Sequence, residues 1–194
     1  MKKILIINAH QYYSYSEGKL TKSLIERMEN QLKIKGYEVK HSIIMSAYNP
    51  DEEVDKHAWA DVVIMQSPVH WMGLPWMAKK YIDEVYSVGT AGKLCETDGR
   101  SSQAPKKNYG TGGVLKKSKY MLSLTFNSPE EAFNDSSEYL FQGKNVDDLW
   151  YPQHVNFRFF GMTPIETFVC YDVLKNPEIE NDFRRLERHI DKNF

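Results

Sequence analysis

Apolar and polar positions follow two spacings along the chain, and these spacings predict strands and helices in turn. The segment KILIIN, residues 3–8, is almost continuously apolar, which is typical of a strand buried on both faces of a sheet. From Leu20 to Leu32, leucine or methionine recurs every four residues and predicts the buried stripe of a helix. We expect Ser16 to cap the start of this helix and Gly36 to end it.

The same alternation continues to the end of the chain. Further strands are expected at residues 37–44, 61–66, 120–126 and 164–173. Further helices are expected at residues 51–60, 77–86, 150–160 and 179–194. Residues 87–118 are rich in Gly, Ser, Lys and Pro and predict a long excursion, and residues 127–148 predict mostly loop. No repeat or linker divides the pattern, so we expect a single domain over residues 1–194.

Five strands separated by helices predict the α/β class. The expected architecture is a doubly wound, five-stranded parallel sheet with helices on both faces. Right-handed crossovers favour the flavodoxin-like strand order 2-1-3-4-5. Sheets of this kind bind ligands at the carboxyl ends of their strands, beside the switch point between the first and third strands. The loops that leave those strands are therefore where functional residues are expected.

Composition and charge narrow the function. The chain has 194 residues, of which 41% are apolar and 26% charged, with a formal net charge of −1. This balance argues against nucleic acid or an anionic membrane as the main partner. The apolar run near the N-terminus is too short for a signal peptide, and no run reaches membrane-spanning length. The two cysteines have no metal-ligand spacing, which favours a reduced, cytoplasmic compartment.

Three loops at the expected binding edge carry candidate chemistry. The first, residues 8–20, offers His10, Ser14, Ser16, Gly18 and Lys19 before a helix N-terminus, which suits a phosphate. It contains neither GxGxxG nor GxxxxGK[ST], so it is not the fingerprint of either nucleotide-binding fold. A capped helix after a solvated loop explains these residues equally well.

The second loop, SPVHWMGLPW (residues 67–76), follows the third strand directly. Pro68 and Pro75 stiffen its backbone around Gly73, and its tryptophans, Trp71 and Trp76, can stack on a planar ring. A hydrophobic plug or a subunit contact is the alternative interpretation. In the third loop, residues 125–133, small polar side chains precede a proline, and an ordinary turn would also account for them. Together, a phosphate cradle, a stacking wall and a polar rim predict a flavin site.

The chain resembles the FAD-dependent NADPH:quinone oxidoreductases of the modulator-of-drug-activity-B group nearly from end to end. The resemblance is carried by KILIIN, SEGKLT, WADVVI, P-x-x-W-M-G-x-P-W, KKYID, TDGR, KKNYGTGG, KYMLSLTFN and FFGM-x-P. It implies a cytoplasmic homodimer that binds FAD and uses NADPH to reduce quinones to hydroquinones by hydride transfer through the flavin. A ping-pong scheme and a role in protection against quinone or oxidative stress are further expectations.

The resemblance also implies site residues, to which the loops add His10 and Pro68. The expected cofactor contacts are His10, Ser16, Glu17, Gly18, Lys19, Leu20, Thr21, Lys22, Ser23, Pro68, Val69, His70, Trp71, Met72, Tyr109, Thr125, Phe126, Asn127 and Ser128. His70 and Tyr109 are the expected catalytic residues, as proton donors to the quinone, with Tyr139 or water as the alternatives. No metal site is expected, because the six histidines have no ligand spacing.

Three alternatives remain open from the sequence. One is a flavin-dependent reductase of azo dyes, nitro compounds or free flavin. Another is a flavin-bound ancillary subunit that regulates an ion-efflux system. A third is an electron carrier, against which the tryptophans, the long excursion and the lack of a strongly acidic composition argue. A phosphate cradle fits both FAD and FMN, so the choice of FAD depends on the resemblance.

Overall fold

A computed structural model describes residues 2–194 of the chain. Its strands pair in the order β2-β1-β3-β4-β5, every pairing is parallel, and a further short strand, β6, also pairs with β4. The strands are β1 Lys3–Asn8, β2 Glu38–Ile43, β3 Val62–Pro68, β4 Lys119–Thr125, β5 Thr163–Pro164 and β6 Phe168–Cys170. This confirms the flavodoxin-like order predicted from the sequence.

Helices cover both faces of the sheet. They are α1 Lys19–Ile34, α2 Pro50–Trp59, α3 Trp76–Gly89, α4 Val146–Leu149, α5 Tyr151–Phe159 and α6 Ile179–Asn193, with a single 3₁₀ turn at Glu130–Ala132. None of these helices, within residues 2–194, is long and apolar enough to cross a membrane.

The apolar run of β1 shows why both faces are covered. Successive side chains of a strand point to opposite faces of the sheet. Ile4 and Ile6 accordingly pack in the cluster formed with α1 and α6, whereas Leu5 and Ile7 pack in the cluster formed with α2, α3 and α5. All four side chains are fully buried. Each contributes about 1.5–3 kcal/mol through removal from water, so the run stabilises both layers at once.

The predicted fifth strand, residues 164–173, is wrong as a continuous element. β5 pairs with Lys119 and Tyr120 at the start of β4, and β6 pairs with Ser123 to Thr125 at its end. Pro164 has no backbone N–H to donate at the point where the strand breaks. The fifth position in the sheet is therefore filled by two short strands.

The predicted cap of the first helix is also wrong. Ser16 is held in a tight turn with Tyr13 through two backbone hydrogen bonds of 2.9 and 3.1 Å. The helix instead begins after Gly18, which has a left-handed backbone with φ +84°. Gly36, with φ +83°, follows the helix as expected. Because Ser16 is used in the turn, the first N–H groups of α1 point into the loop without a side-chain cap among residues 2–194.

Candidate functional site

A cleft of about 340 Å³ lies at the carboxyl ends of β1, β3 and β4. This is the switch point of the sheet, where the loops that leave β1 and β3 diverge. The cleft is lined by His10, Ser14, Tyr15, Ser16, Glu17, Gly18, Lys19, Leu20, Thr21, Pro68, Thr125, Val173 and Leu174. The edge of the sheet predicted from the sequence thus holds a cleft, and most of the predicted first loop lines it.

The floor of the cleft is shaped by Gly18. A Cβ atom at this position would lie 2.7 Å from Cε1 and 2.8 Å from Nδ1 of His10, so only glycine fits beside that ring. His10 Nε2 lies 3.0 Å from the backbone oxygen of Ser16, which fixes the ring across the loop. Main-chain atoms therefore reach the surface of the cleft here, as a bound phosphate requires.

The positive end of the α1 dipole faces this floor. The first helical hydrogen bond is donated by Lys22 N to Gly18 O at 2.9 Å, so the N–H groups of Lys19, Leu20 and Thr21 precede it. Such N–H groups and the helix dipole both favour a negative charge. Lys19 pairs with Glu17 at 2.6 Å, and this ion pair lowers the pKa of the Glu17 carboxyl and raises that of Lys19. The first loop is chemically suited to a phosphate or diphosphate group.

The second loop contains a strained turn. His70 and Gly73 close it with backbone hydrogen bonds of 2.9 and 3.1 Å. Trp71 and Met72 occupy its tip with φ values of 47° and 65°. Bulky residues rarely adopt this left-handed conformation, which costs about 1–3 kcal/mol per residue. The Trp71 side chain is 98% exposed, so packing within the chain does not compensate for this strain.

A cluster of rings joins the first loop to the second. Tyr13 and Tyr15 are stacked with ring centroids 5.2 Å apart and planes inclined by 10°. The His70 ring lies 5.0 Å from Tyr13 and 6.4 Å from Tyr15. Partial burial lowers the pKa of His70, and the nearby His10 lowers it further. The lowered pKa favours the neutral imidazole, whose two ring nitrogens can donate and accept a hydrogen bond.

The third loop contributes less side-chain surface than expected. Thr125 lines the cleft, whereas the Phe126 side chain is buried in the core against Phe133 at 5.4 Å. Asn127 is exposed, and the backbone oxygen of Ser128 accepts a hydrogen bond from Asp172 N at 3.0 Å. Phe126 is a predicted cofactor contact, and its side chain is directed into the core.

Other predicted residues lie outside the cleft lining. Lys22 and Ser23 continue along α1, and Lys22 lies 3.8 Å from Glu26. Val69 donates its backbone N–H to Thr125 O at 3.0 Å and so ties the second loop to the third. Tyr109, on the long excursion, packs against Phe159 of α5 at 5.7 Å and beneath Arg100 at 5.5 Å. Its ring is 71% exposed, and the fold does not bring it to the first loop.

Three lining residues were missed by sequence reasoning. Tyr15 belongs to the first loop, and the run of tyrosines there was the available signal. Val173 and Leu174 come after β6, and the expected strand over residues 164–173 concealed them. Because β6 ends at Cys170, earlier than predicted, these two residues lie in a loop at the binding edge.

A second cavity, of about 240 Å³, adjoins the same loop. Its residues Tyr171 and Asp172 come directly before Val173 in the chain. Asp182 is 4% exposed and accepts from Arg185 Nη2 at 2.7 Å, but its second oxygen has no partner among the described residues. One buried oxygen of Asp172 is likewise unpartnered there. The cavity is thus lined by acidic side chains beside a tyrosine ring.

The acidic residues of this cavity, as the structure describes it, do not form a cluster placed to hold a metal ion. Within residues 2–194, no group of three or more His, Cys, Asp or Glu is placed to hold a metal ion. Burial, followed by the charge of Glu130, raises the pKa of Tyr171 to about 12, so the phenol stays protonated. The carboxylate side chains that line the cavity can accept hydrogen bonds from the N–H groups of an organic ligand.

Comparison with known proteins shows the family to which the chain belongs. The family model of the flavodoxin-like fold matches residues 2–193. The NADPH:quinone oxidoreductase MdaB of Haemophilus influenzae is 41% identical over 191 residues, which cover 98% of each chain. A Klebsiella pneumoniae structure described as a candidate quinone reductase has a TM-score of 0.78 at 22% identity, covering 99% of this chain and 85% of that one. General stress protein 14 of Treponema denticola, in complex with FMN, has a TM-score of 0.67 at 14% identity, covering 99% of each chain.

The fold and the family match define the class: the chain belongs to the flavodoxin-like family and, within it, to the MdaB-type quinone reductases. It is accordingly an oxidoreductase. The two structural neighbours are less than 25% identical and bear on the fold alone.

Proposed function

We propose that this protein reduces quinones to hydroquinones with electrons from NADPH, through a flavin bound in the cleft. The observation that carries the proposal is the coincidence of a phosphate-type cradle at the switch point with end-to-end similarity to an NADPH:quinone oxidoreductase. A bound flavin would supply two successive transfers: hydride from NADPH to the flavin, and then two electrons, with protons, from the flavin to the quinone.

The residues of the cleft fit a flavin phosphate. Gly18 exposes main chain that any Cβ would cover, and the N–H groups at the start of α1 are directed there. Buried Gln66, at the end of β3, accepts from Ser123 at 2.6 Å through its oxygen, while its side-chain nitrogen has no partner among the described residues. These groups would bind and orient the flavin and keep water out of the site. No catalytic triad is required.

We infer that the flavin is FAD rather than FMN. The second cavity is lined by Tyr171 and Asp172, which come directly before the cleft residues Val173 and Leu174 in the chain, and it offers acidic side chains and a tyrosine ring. These are suitable partners for the amino group and the flat ring of an adenine. FMN has no group that would extend into this cavity.

His70 is proposed as a proton donor to the quinone, since its ring lies beside Tyr15 of the cleft, at a centroid distance of 6.4 Å, and its protonated form can release a proton. A His70→Asn variant would then lose quinone turnover while it keeps its flavin. Tyr109, the other residue expected in this role, would have to act from a partner subunit, because within one chain it lies on the excursion against α5. Unchanged turnover in His70→Asn and in Tyr109→Phe would show that water supplies the proton.

NADPH and the quinone are proposed to use the cleft in turn, in a ping-pong scheme. Parallel double-reciprocal plots at several fixed quinone concentrations are expected, and intersecting plots would contradict it. We further propose that the protein acts in the cytoplasm as a homodimer and protects against quinone or oxidative stress.

The first experiment is to identify the flavin and follow its redox cycle. The purified protein is expected to absorb in the visible range and to release FAD on heating, as measured by chromatography. NADPH should bleach the spectrum, and menadione should restore it. Released FMN would contradict the assignment of FAD, and an acceptor panel with azo dyes and nitro compounds would reveal a different preferred substrate. Protein that cannot be reconstituted with either flavin would overturn the proposal.

A further inference from the structure

Tyr15 occupies a place in the cleft that the proposed function leaves unassigned. It stands at the tip of the tight turn closed by Tyr13 and Ser16, so its backbone position is fixed by two hydrogen bonds. Its side chain lines the cleft, yet it is 72% exposed. An aromatic side chain that is held firmly and left open to solvent is unusual for a residue that serves only packing.

One face of the Tyr15 ring is already in use. Tyr13, which is half-buried, lies almost parallel to it at 5.2 Å, and His70 braces the pair from the second loop. The other face is open, as the high exposure of the side chain requires. A stack of two parallel rings presents a flat, electron-rich surface on which a third planar ring can lie.

We propose that Tyr15 determines acceptor specificity by stacking on the planar, electron-poor ring of the quinone at the mouth of the cleft. The inference rests on the proposed function, which it deepens by selecting flat, aromatic acceptors over compact ones. Tyr13 is a positioning residue in this arrangement, since it is stacked on the Tyr15 face that the quinone does not use, whereas the tilted His70 ring lies beside the pair.

The chain offers a close control for this proposal. Tyr12 is also exposed, at 59%, and lies three residues earlier in the same loop, but it is absent from the ring stack that joins Tyr13, Tyr15 and His70 among the described residues. Removal of either side chain exposes little core, so Tyr15→Ala and Tyr12→Ala are both expected to fold. Tyr15→Phe keeps the ring and removes the hydroxyl.

The test measures binding and turnover in flavin-loaded protein. Without NADPH, the Kd of 1,4-naphthoquinone is measured by quenching of protein fluorescence. With NADPH, kcat/KM is measured for the naphthoquinone and for ferricyanide, which has no ring to stack. In Tyr15→Ala, Kd is expected to rise and kcat/KM for naphthoquinone to fall by roughly 2- to 12-fold, the range of an aromatic pair. In Tyr15→Ala, kcat/KM for ferricyanide should remain near the wild-type value. In Tyr15→Phe and Tyr12→Ala, Kd and kcat/KM for naphthoquinone should also remain near the wild-type values.

The two proposals fail in different ways. If the wild type reduces naphthoquinone and Tyr15→Ala matches it in Kd and kcat/KM, the specificity role is wrong and the proposed function stands. An equal loss with ferricyanide would also overturn it, because the effect would then be on the flavin site in general. If the wild type neither binds nor reduces naphthoquinone, the proposed function itself fails.

Discussion

Gly18 shows how one residue sets the shape of the cleft. Its φ of +84° costs a side chain-bearing residue about 1–2 kcal/mol, and a Cβ there would also meet the His10 ring. Gly36, at the other end of α1, has a nearly identical φ of +83°, but a Cβ there would meet no atom within 4 Å. Both glycines therefore occupy a backbone conformation with positive φ, but only Gly18 also lacks space for a Cβ atom.

This difference gives a matched pair of variants. We expect Gly18→Ala to lower the free energy of unfolding by more than about 1 kcal/mol and to weaken flavin binding at least tenfold. Gly36→Ala should lose about 1 kcal/mol and bind flavin normally, since it lies far from the cleft. Urea unfolding and flavin titration measure both effects, and tight flavin binding by Gly18→Ala would argue against a phosphate on this floor.

Substitution in the left-handed turn at Trp71 and Met72 is expected to have the opposite effect, a gain in stability. A turn with positive φ at both central residues favours Asn-Gly. Because the Trp71 side chain is almost fully exposed, a Trp71→Asn, Met72→Gly double variant loses little packing and should gain about 1–2 kcal/mol of stability. It should also reduce flavin or quinone binding, since strain of this kind is retained for function. A variant that is less stable than wild type would show that the strain is absent.

At the scale of elements, a buried carboxylate ties two helices to the edge of the sheet. Glu53 of α2 is 4% exposed and accepts from Ser42 on β2, from Tyr81 Oη on α3 at 2.7 Å and from Lys56 Nζ at 2.6 Å. Burial alone would raise the pKa of Glu53, but these donors, Lys56 foremost, hold it below its usual value. No sequence pattern indicated this network, because its members come from three elements.

A Glu53→Gln variant tests this contribution. It should lower the free energy of unfolding by about 3 kcal/mol at pH 7, because a charged acceptor is lost from a buried cluster. The pKa is depressed in the folded state, so the stabilisation is present above the unfolded value of 4.5 and is lost as pH falls through the folded value. The difference in the free energy of unfolding between the wild type and Glu53→Gln should therefore narrow in acid. Glu52→Gln, on the exposed side of the same helix, should differ little from wild type at any pH.

At the scale of the whole molecule, several large aromatic side chains are exposed around the binding edge. Trp71 and Trp76 are 98% and 60% exposed, and both follow β3. Globular proteins rarely leave such surface open unless a partner or ligand covers it. This supports the proposed homodimer, in which the second loop would form part of the contact.

The dimer can be tested by light scattering. The chain mass is 22.6 kDa, and we expect a particle of twice that mass at micromolar concentration. Trp76→Gln should shift the equilibrium towards monomer upon dilution, whereas Tyr151→Gln, an exposed aromatic on α5, should not. A monomer mass for the wild type across the concentration range would contradict the proposal. Ligand binding would then be the better explanation of the exposed tryptophans.

The sequence by itself determined the class, the strand order and the edge that holds the cleft. These depend on apolar spacing and on the handedness of crossovers, which are local and general rules. The tertiary structure decided the break after Pro164, the use of Ser16 in a turn, and the inward direction of Phe126, because each depends on which backbone group a neighbouring element supplies. It also decided that Tyr13, Tyr15 and His70 meet, since two loops distant in sequence come together only when β1 and β3 pair.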